Sequence, residues 1–80
     1  MDLFMQLRGV AQLRGERWAQ TVAQLCPIDK PWPFTEKSRA IAMRKVADLG
    51  GGDPELQEKL ASEVELGAMR WWNKALEQAG

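Results

Sequence analysis

Through the first 26 residues the apolar positions recur three and four apart, the spacing of one face of an α-helix. Wound at about 100° per residue, Leu3, Leu7, Val10, Ala11, Trp18, Val22 and Leu25 share an arc, with Phe4 and Cys26 at its edge. Gln6, Gln12, Glu16, Gln20 and Gln24 fall on the other side. The pattern predicts a helix over residues 2–26, with Asp2 as its N-cap. Gly9 falls on the polar side. Gly15 falls on the apolar arc, where the missing side chain either breaks the helix or admits a neighbouring one. Arg14 points close to the arc, so its guanidinium must reach water or a partner. The echo of QLRGVA in QLRGER has a six-residue period that fits neither a helical turn nor a solenoid, and is read as chance.

Residues 27–35 interrupt the pattern. Pro27, Pro31 and Pro33 remove backbone donors and forbid helix. Ile28, Trp32 and Phe34 make the segment apolar, which predicts a rigid loop that packs aromatics over the open end of a core. The prolines lack P-x-x-P spacing, so a role as an extended ligand for another protein's aromatic groove ranks second.

A second helix is predicted over 36–49, with Thr35 as N-cap and Gly50 as its stop. Ile41, Ala42, Val46 and Leu49 form its apolar stripe, flanked by Met43. Lys37, Arg44 and Lys45 form a basic face opposite. Residues 50–53 then make a Gly-rich turn, and Asp53-Pro54-Glu55 is a strong helix start: an Asp N-cap, Pro at the first helical position and an acid at the positive end of the dipole. The third helix is predicted over 54–78. Its stripe is Leu56, Leu60, Val64, Ala68, Trp71 and Ala75, widened by Ala61, Gly67, Trp72 and Ala79.

At about 1.5 Å per residue, the outer helices are each about 36 Å long and the middle one about 21 Å. The expected fold is therefore all-α: a small three-helix domain, long–short–long, in a helical bundle. The short helix covers only about half of either long stripe. That shortfall favours completion of the core by homodimerisation. The chain's 80 residues make one domain at most and bury only about 60–65% of the unfolded surface.

Charge adds a modest asymmetry. Eleven basic and eleven acidic residues cancel, yet residues 1–52 carry +3 and residues 53–80 carry −3. Neither a strongly basic nucleic-acid binder nor an acidic mimic of DNA has this balance. The two halves are expected to attract each other within the fold or across a dimer. No apolar run approaches the roughly 20 residues of a membrane helix, the first ten residues lack the apolar core of a secretory signal, and a single cysteine makes no internal disulfide. A cytoplasmic protein is expected.

Candidate chemistry is sparse. The chain has no histidine and one cysteine, Cys26, so zinc lacks a ligand set, and no loop spaces carboxylates for calcium. Gly50–Gly52 before a helix resembles a phosphate loop only superficially, because the Lys-Ser/Thr and the preceding strand are missing. Ser38, Ser62, Thr21 and Thr35 have no histidine to activate them. Cys26 near Lys30 is read as a small apolar residue at a helix end. No cofactor, no metal and no catalysis are expected.

Two binding roles remain. The first is a protein–protein interaction module, a small regulator, adaptor or inhibitor acting by stoichiometric binding. Its candidate contact residues are Trp72, Met69, Leu66, Arg70 and Trp32, because Trp and Arg dominate interface hot spots. Adjacent Trp71 and Trp72 point about 100° apart. The favoured arrangement places Trp71 in the core and Trp72 partly under the proline loop; the alternative makes Trp72 an exposed anchor. The second role is a small DNA- or RNA-associated regulator gripping the backbone with Arg8, Arg14 and Arg17 of helix one and with Lys37, Arg39, Arg44 and Lys45 of helix two. Helix three is too acidic to read a groove.

Overall fold

The computed structural model describes residues 2–33 and 35–79. Phe34, expected among the loop's apolar residues, lies outside them. Among the described residues there are three α-helices and no strand: α1 (Leu3–Leu25), α2 (Glu36–Lys45) and α3 (Pro54–Ala79). The all-α, long–short–long architecture is as the periodicity predicted. The expected N-caps are all in place. Asp2 accepts from the N–H of Phe4 at 3.0 Å, Thr35 from Ser38 at 3.1 Å and Asp53 from Glu55 at 3.1 Å, each filling a donor that the first turn leaves open.

Contacts advance in the same direction along α1 and α3: Arg8 meets Glu63, Gly15 meets Val64 and Ala68, and Trp18 shares a cluster with Trp72. These helices run parallel, and α2 returns between their ends. The whole is elongated, 41 × 24 × 16 Å, about the length of a 26-residue helix at 1.5 Å per residue.

Gly15 does not break α1. It lies directly on the α3 backbone: a Cβ there would run into the Val64 carbonyl and come within 2.9 Å of the Ala68 amide nitrogen. Gly67 does the same in reverse, with the Gln12 carbonyl as its neighbour. Small residues thus let the two backbones touch along their length, which multiplies short-range dispersion contacts. This close approach rolls α1 away from the expected face. Ala11, Gly15, Trp18 and Ala19 are buried, whereas Leu3, Val10 and Leu25, expected inside, are 45%, 42% and 82% exposed.

α2 ends at Lys45, four residues earlier than expected. The reason is tertiary. Arg14 of α1 donates to the Lys45 carbonyl at 2.7 Å and pairs with Asp48 through both its terminal nitrogens, at 2.6 and 3.0 Å. Gln57 of α3 donates to the carbonyls of Ala47 and Leu49, both at 3.2 Å. Arg14 thus takes the Lys45 carbonyl that a longer helix would have satisfied itself, and Gln57 holds the turn that follows. The tightened turn seats Val46 in the core with no exposed surface. Gly50, Gly51 and Gly52 follow with φ of 77°, 60° and 85°, a left-handed run that residues with a Cβ rarely adopt.

Candidate protein-binding surface

Position within the fold sorts the candidate residues into three places. Trp72 and Trp32 are inside. Their exposures are 5% and 7%, and Trp32 stands edge-on between Trp18 and Trp72, with centroids 5.0 and 5.2 Å apart. Such pairs are worth about 0.5–1.5 kcal/mol each beyond their buried area. Two hydrogen bonds strap the loop down. The Trp72 indole N–H donates to the Lys30 carbonyl at 2.6 Å, and the Trp32 amide donates to Asn73 Oδ1 at 3.2 Å. Neither tryptophan is free to anchor a partner, and the proline segment is a lid on this chain's own core.

Met69 and Leu66 are half-buried, and Met69 packs against the core cluster. Arg70 is exposed. The five residues do not form one patch. Lys37, Arg44 and Lys45 are exposed on α2, as expected of a solvated basic face, and make no ion pair among the described residues. Other cations are engaged. Arg8 pairs with Glu63 at 3.2 Å, Arg14 with Asp48, and Arg39 with Glu65 at 3.4 Å and Glu58 at 3.9 Å. The electropositive first half and the electronegative second half thus meet inside the fold through Arg8 and Arg39. The Arg14–Asp48 hydrogen bonds hold the Asp48 carboxyl below the ordinary carboxylate range and raise Arg14 further.

Sequence reasoning missed two surfaces. One is the outer flank of α1, where Leu3, Val10 and Leu13 are 45%, 42% and 47% exposed. The other is an open cleft of about 570 Å³ between α1 and α3, lined by Gln12, Glu16, Arg70, Trp71 and Lys74 over a floor of Gly67 and Ala75. Trp71, expected in the core, is the half-buried wall of this cleft. The periodic stripe placed it inward. The lid chose Trp72 instead, because Trp32 packs on that side of α3.

Cys26 stands at the end of α1 as expected, its thiol free and exposed. It borders a smaller apolar recess of about 290 Å³ with Val22, Pro31 and Pro33. Among the described residues no three His, Cys, Asp or Glu side chains gather as a metal site, and no helix is long and apolar enough to cross a membrane.

Fold and surface together define a small all-α domain of three helices with its aromatic core capped by a proline loop. No family model, no curated protein and no solved structure matches the chain.

Proposed function

We propose that this chain is a non-catalytic helical interaction module, a small regulator, adaptor or inhibitor that acts by stoichiometric protein binding and pairs with a second copy of itself. The observation that carries this reading is the outer flank of α1. Leu3, Val10 and Leu13 remain in water there because α1 turns its small residues, Ala11, Gly15 and Ala19, inward. Single exposed apolar residues are ordinary. Three along one flank of one helix, in a domain too small to spare apolar surface, favour an interface. Between Leu3 and Leu13 this flank carries Gln6 and no charged residue, and the exposed Arg17 follows one turn beyond Leu13. A reducing, cytoplasmic setting accords with the exposed free thiol of Cys26.

Sedimentation equilibrium of the wild type and of a Val10→Glu/Leu13→Glu double variant tests the reading. Both positions are exposed, so the fold should survive the change. The wild type is expected to approach twice the 9.0 kDa chain mass as concentration rises, and the variant to stay at one. A wild type fixed at one chain mass removes self-association. The nucleic-acid alternative rests on fewer cations than the sequence suggested, since Arg8, Arg14 and Arg39 are held by carboxylates of the same chain. Salt-sensitive binding to duplex DNA through Arg17, Lys37, Arg44 and Lys45 would favour it instead.

A further inference from the structure

We infer that the cleft between α1 and α3 is a docking groove for an acidic amphipathic helix of a partner protein. The inference rests on the interaction-module reading but uses a different surface from the α1 flank.

The cleft lies on the opposite side of α3 from α2, which is held by Arg39 against Glu58, Ser62 and Glu65. One side of the α1–α3 pair is thus covered by a helix and the other is open. Ala75 is the small residue on its open floor, Gly67 being already buried against the Gln12 backbone of α1, and one wall is the half-buried indole of Trp71. A helix laid between two helices needs such a floor for close approach and one large side chain to anchor on. From Gly67 to Gln78 the α3 edge spans about 16 Å, or three helical turns, at 1.5 Å per residue.

Charge names the partner. Arg70 and Lys74 stand one turn apart on the cleft edge, an i,i+4 like-charge pair that weakens a helix on its own. Neither has a carboxylate within ion-pair distance among the described residues, as holds also for Lys37, Arg44 and Lys45 on α2, while Arg8, Arg14, Arg39 and Lys59 are paired. Glu16 lies across the cleft without pairing to them. The unanswered charge is therefore positive and sits beside an accessible tryptophan, a hot-spot composition. A partner helix with an apolar stripe on Trp71 and carboxylates over Arg70 and Lys74 answers both. Single-stranded nucleic acid, which also stacks on aromatics, needs a longer basic track than two cations facing Glu16.

The test uses three fluorescent probes titrated by polarisation against the full chain. These are a synthetic helical peptide with a leucine stripe flanked by glutamates, the same peptide with lysines for the glutamates, and an oligothymidine. The acidic peptide is expected to bind tightest, and more weakly as salt rises. Trp71→Ala should weaken it at least about tenfold. Arg70→Glu/Lys74→Glu should abolish it and turn preference to the lysine peptide. Circular dichroism checks that both variants stay folded, which their exposed or half-buried positions favour. Equal affinity for the two peptides, an unaffected charge-reversal variant, or tightest binding of the oligothymidine overturns the inference. Because the Val10→Glu/Leu13→Glu variant keeps the cleft, loss of self-association there and loss of peptide binding here are separate outcomes.

Discussion

The indole nitrogen of Trp72 lies 2.6 Å from the carbonyl oxygen of Lys30, 42 residues earlier in the chain. This bond joins the proline loop to α3, and the loop holds Trp32 against Trp18 and Trp72. In a domain whose largest wholly buried side chains are Leu60, Val46 and Val64, the tryptophan cluster supplies much of the buried apolar volume. Trp72→Phe keeps an aromatic ring but drops the donor, and should cost about 1–2 kcal/mol. Trp72→Ala should cost about 3–5 kcal/mol, close to the whole stability of a small domain. Urea denaturation reads both, and a loss below about 1 kcal/mol for the alanine variant would contradict the strap.

Two glycines on one helix should respond with opposite signs. Gly9 has no atom within 4 Å of where a Cβ would go, so Gly9→Ala should stabilise by about 0.5–1 kcal/mol through helix propensity. At Gly15 the same methyl meets the α3 backbone at Val64. A carbonyl cannot rotate out of the way as a side chain does. Overpacking of this kind costs about 1–3 kcal/mol, more than propensity returns, so Gly15→Ala should lower the urea midpoint. Two midpoints moving the same way would refute the close approach of α1 and α3.

Collisional quenching distinguishes the tryptophans. Trp18, Trp32 and Trp72 are 9%, 7% and 5% exposed, while Trp71 lines an open cleft beside two cations. Iodide, an anion drawn to Arg70 and Lys74, should quench one component of the native fluorescence and leave the rest. Trp71→Phe should remove that component while changing the unfolding free energy by no more than about 0.5 kcal/mol. If Trp72→Phe removed it instead, the orientation of α3 would be wrong.

Acid should loosen the join between α1 and the end of α2. Asp48 titrates below its ordinary range in the folded chain because Arg14 hydrogen-bonds its carboxylate. The unfolded chain therefore takes up the proton first as pH falls. The contribution is complete above the ordinary aspartate range, near about pH 4, and fades as pH drops through the lowered folded value. Stability measured across this window should fall with acid, and Asp48→Asn should flatten that slope. An unchanged slope in the variant would show that the pair does not couple to folding.

Element type and count were readable in the chain because they depend on local chemistry. Periodicity, the three N-caps at Asp2, Thr35 and Asp53, the prolines at 27, 31 and 33 and the glycines at 50–52 each act within a few residues. Which face turned inward was another matter. The arc of α1 was centred on its large residues, but close packing favoured its small ones, Ala11, Gly15 and Ala19, since only they let the backbones touch. Adjacent Trp71 and Trp72 fit the α3 stripe almost equally well, and the decision between core and cleft was made by a loop some 40 residues away in the chain. α2 ended where Arg14 reached the Lys45 carbonyl and Gln57 held the Ala47 carbonyl of the turn beyond, partners that no local pattern contains. The chain alone thus determined the helices and their boundaries near the caps. The roll of each helix, the end of α2 and the identity of the accessible tryptophan were decided by tertiary contacts, because they depend on which distant groups can come within van der Waals or hydrogen-bond reach.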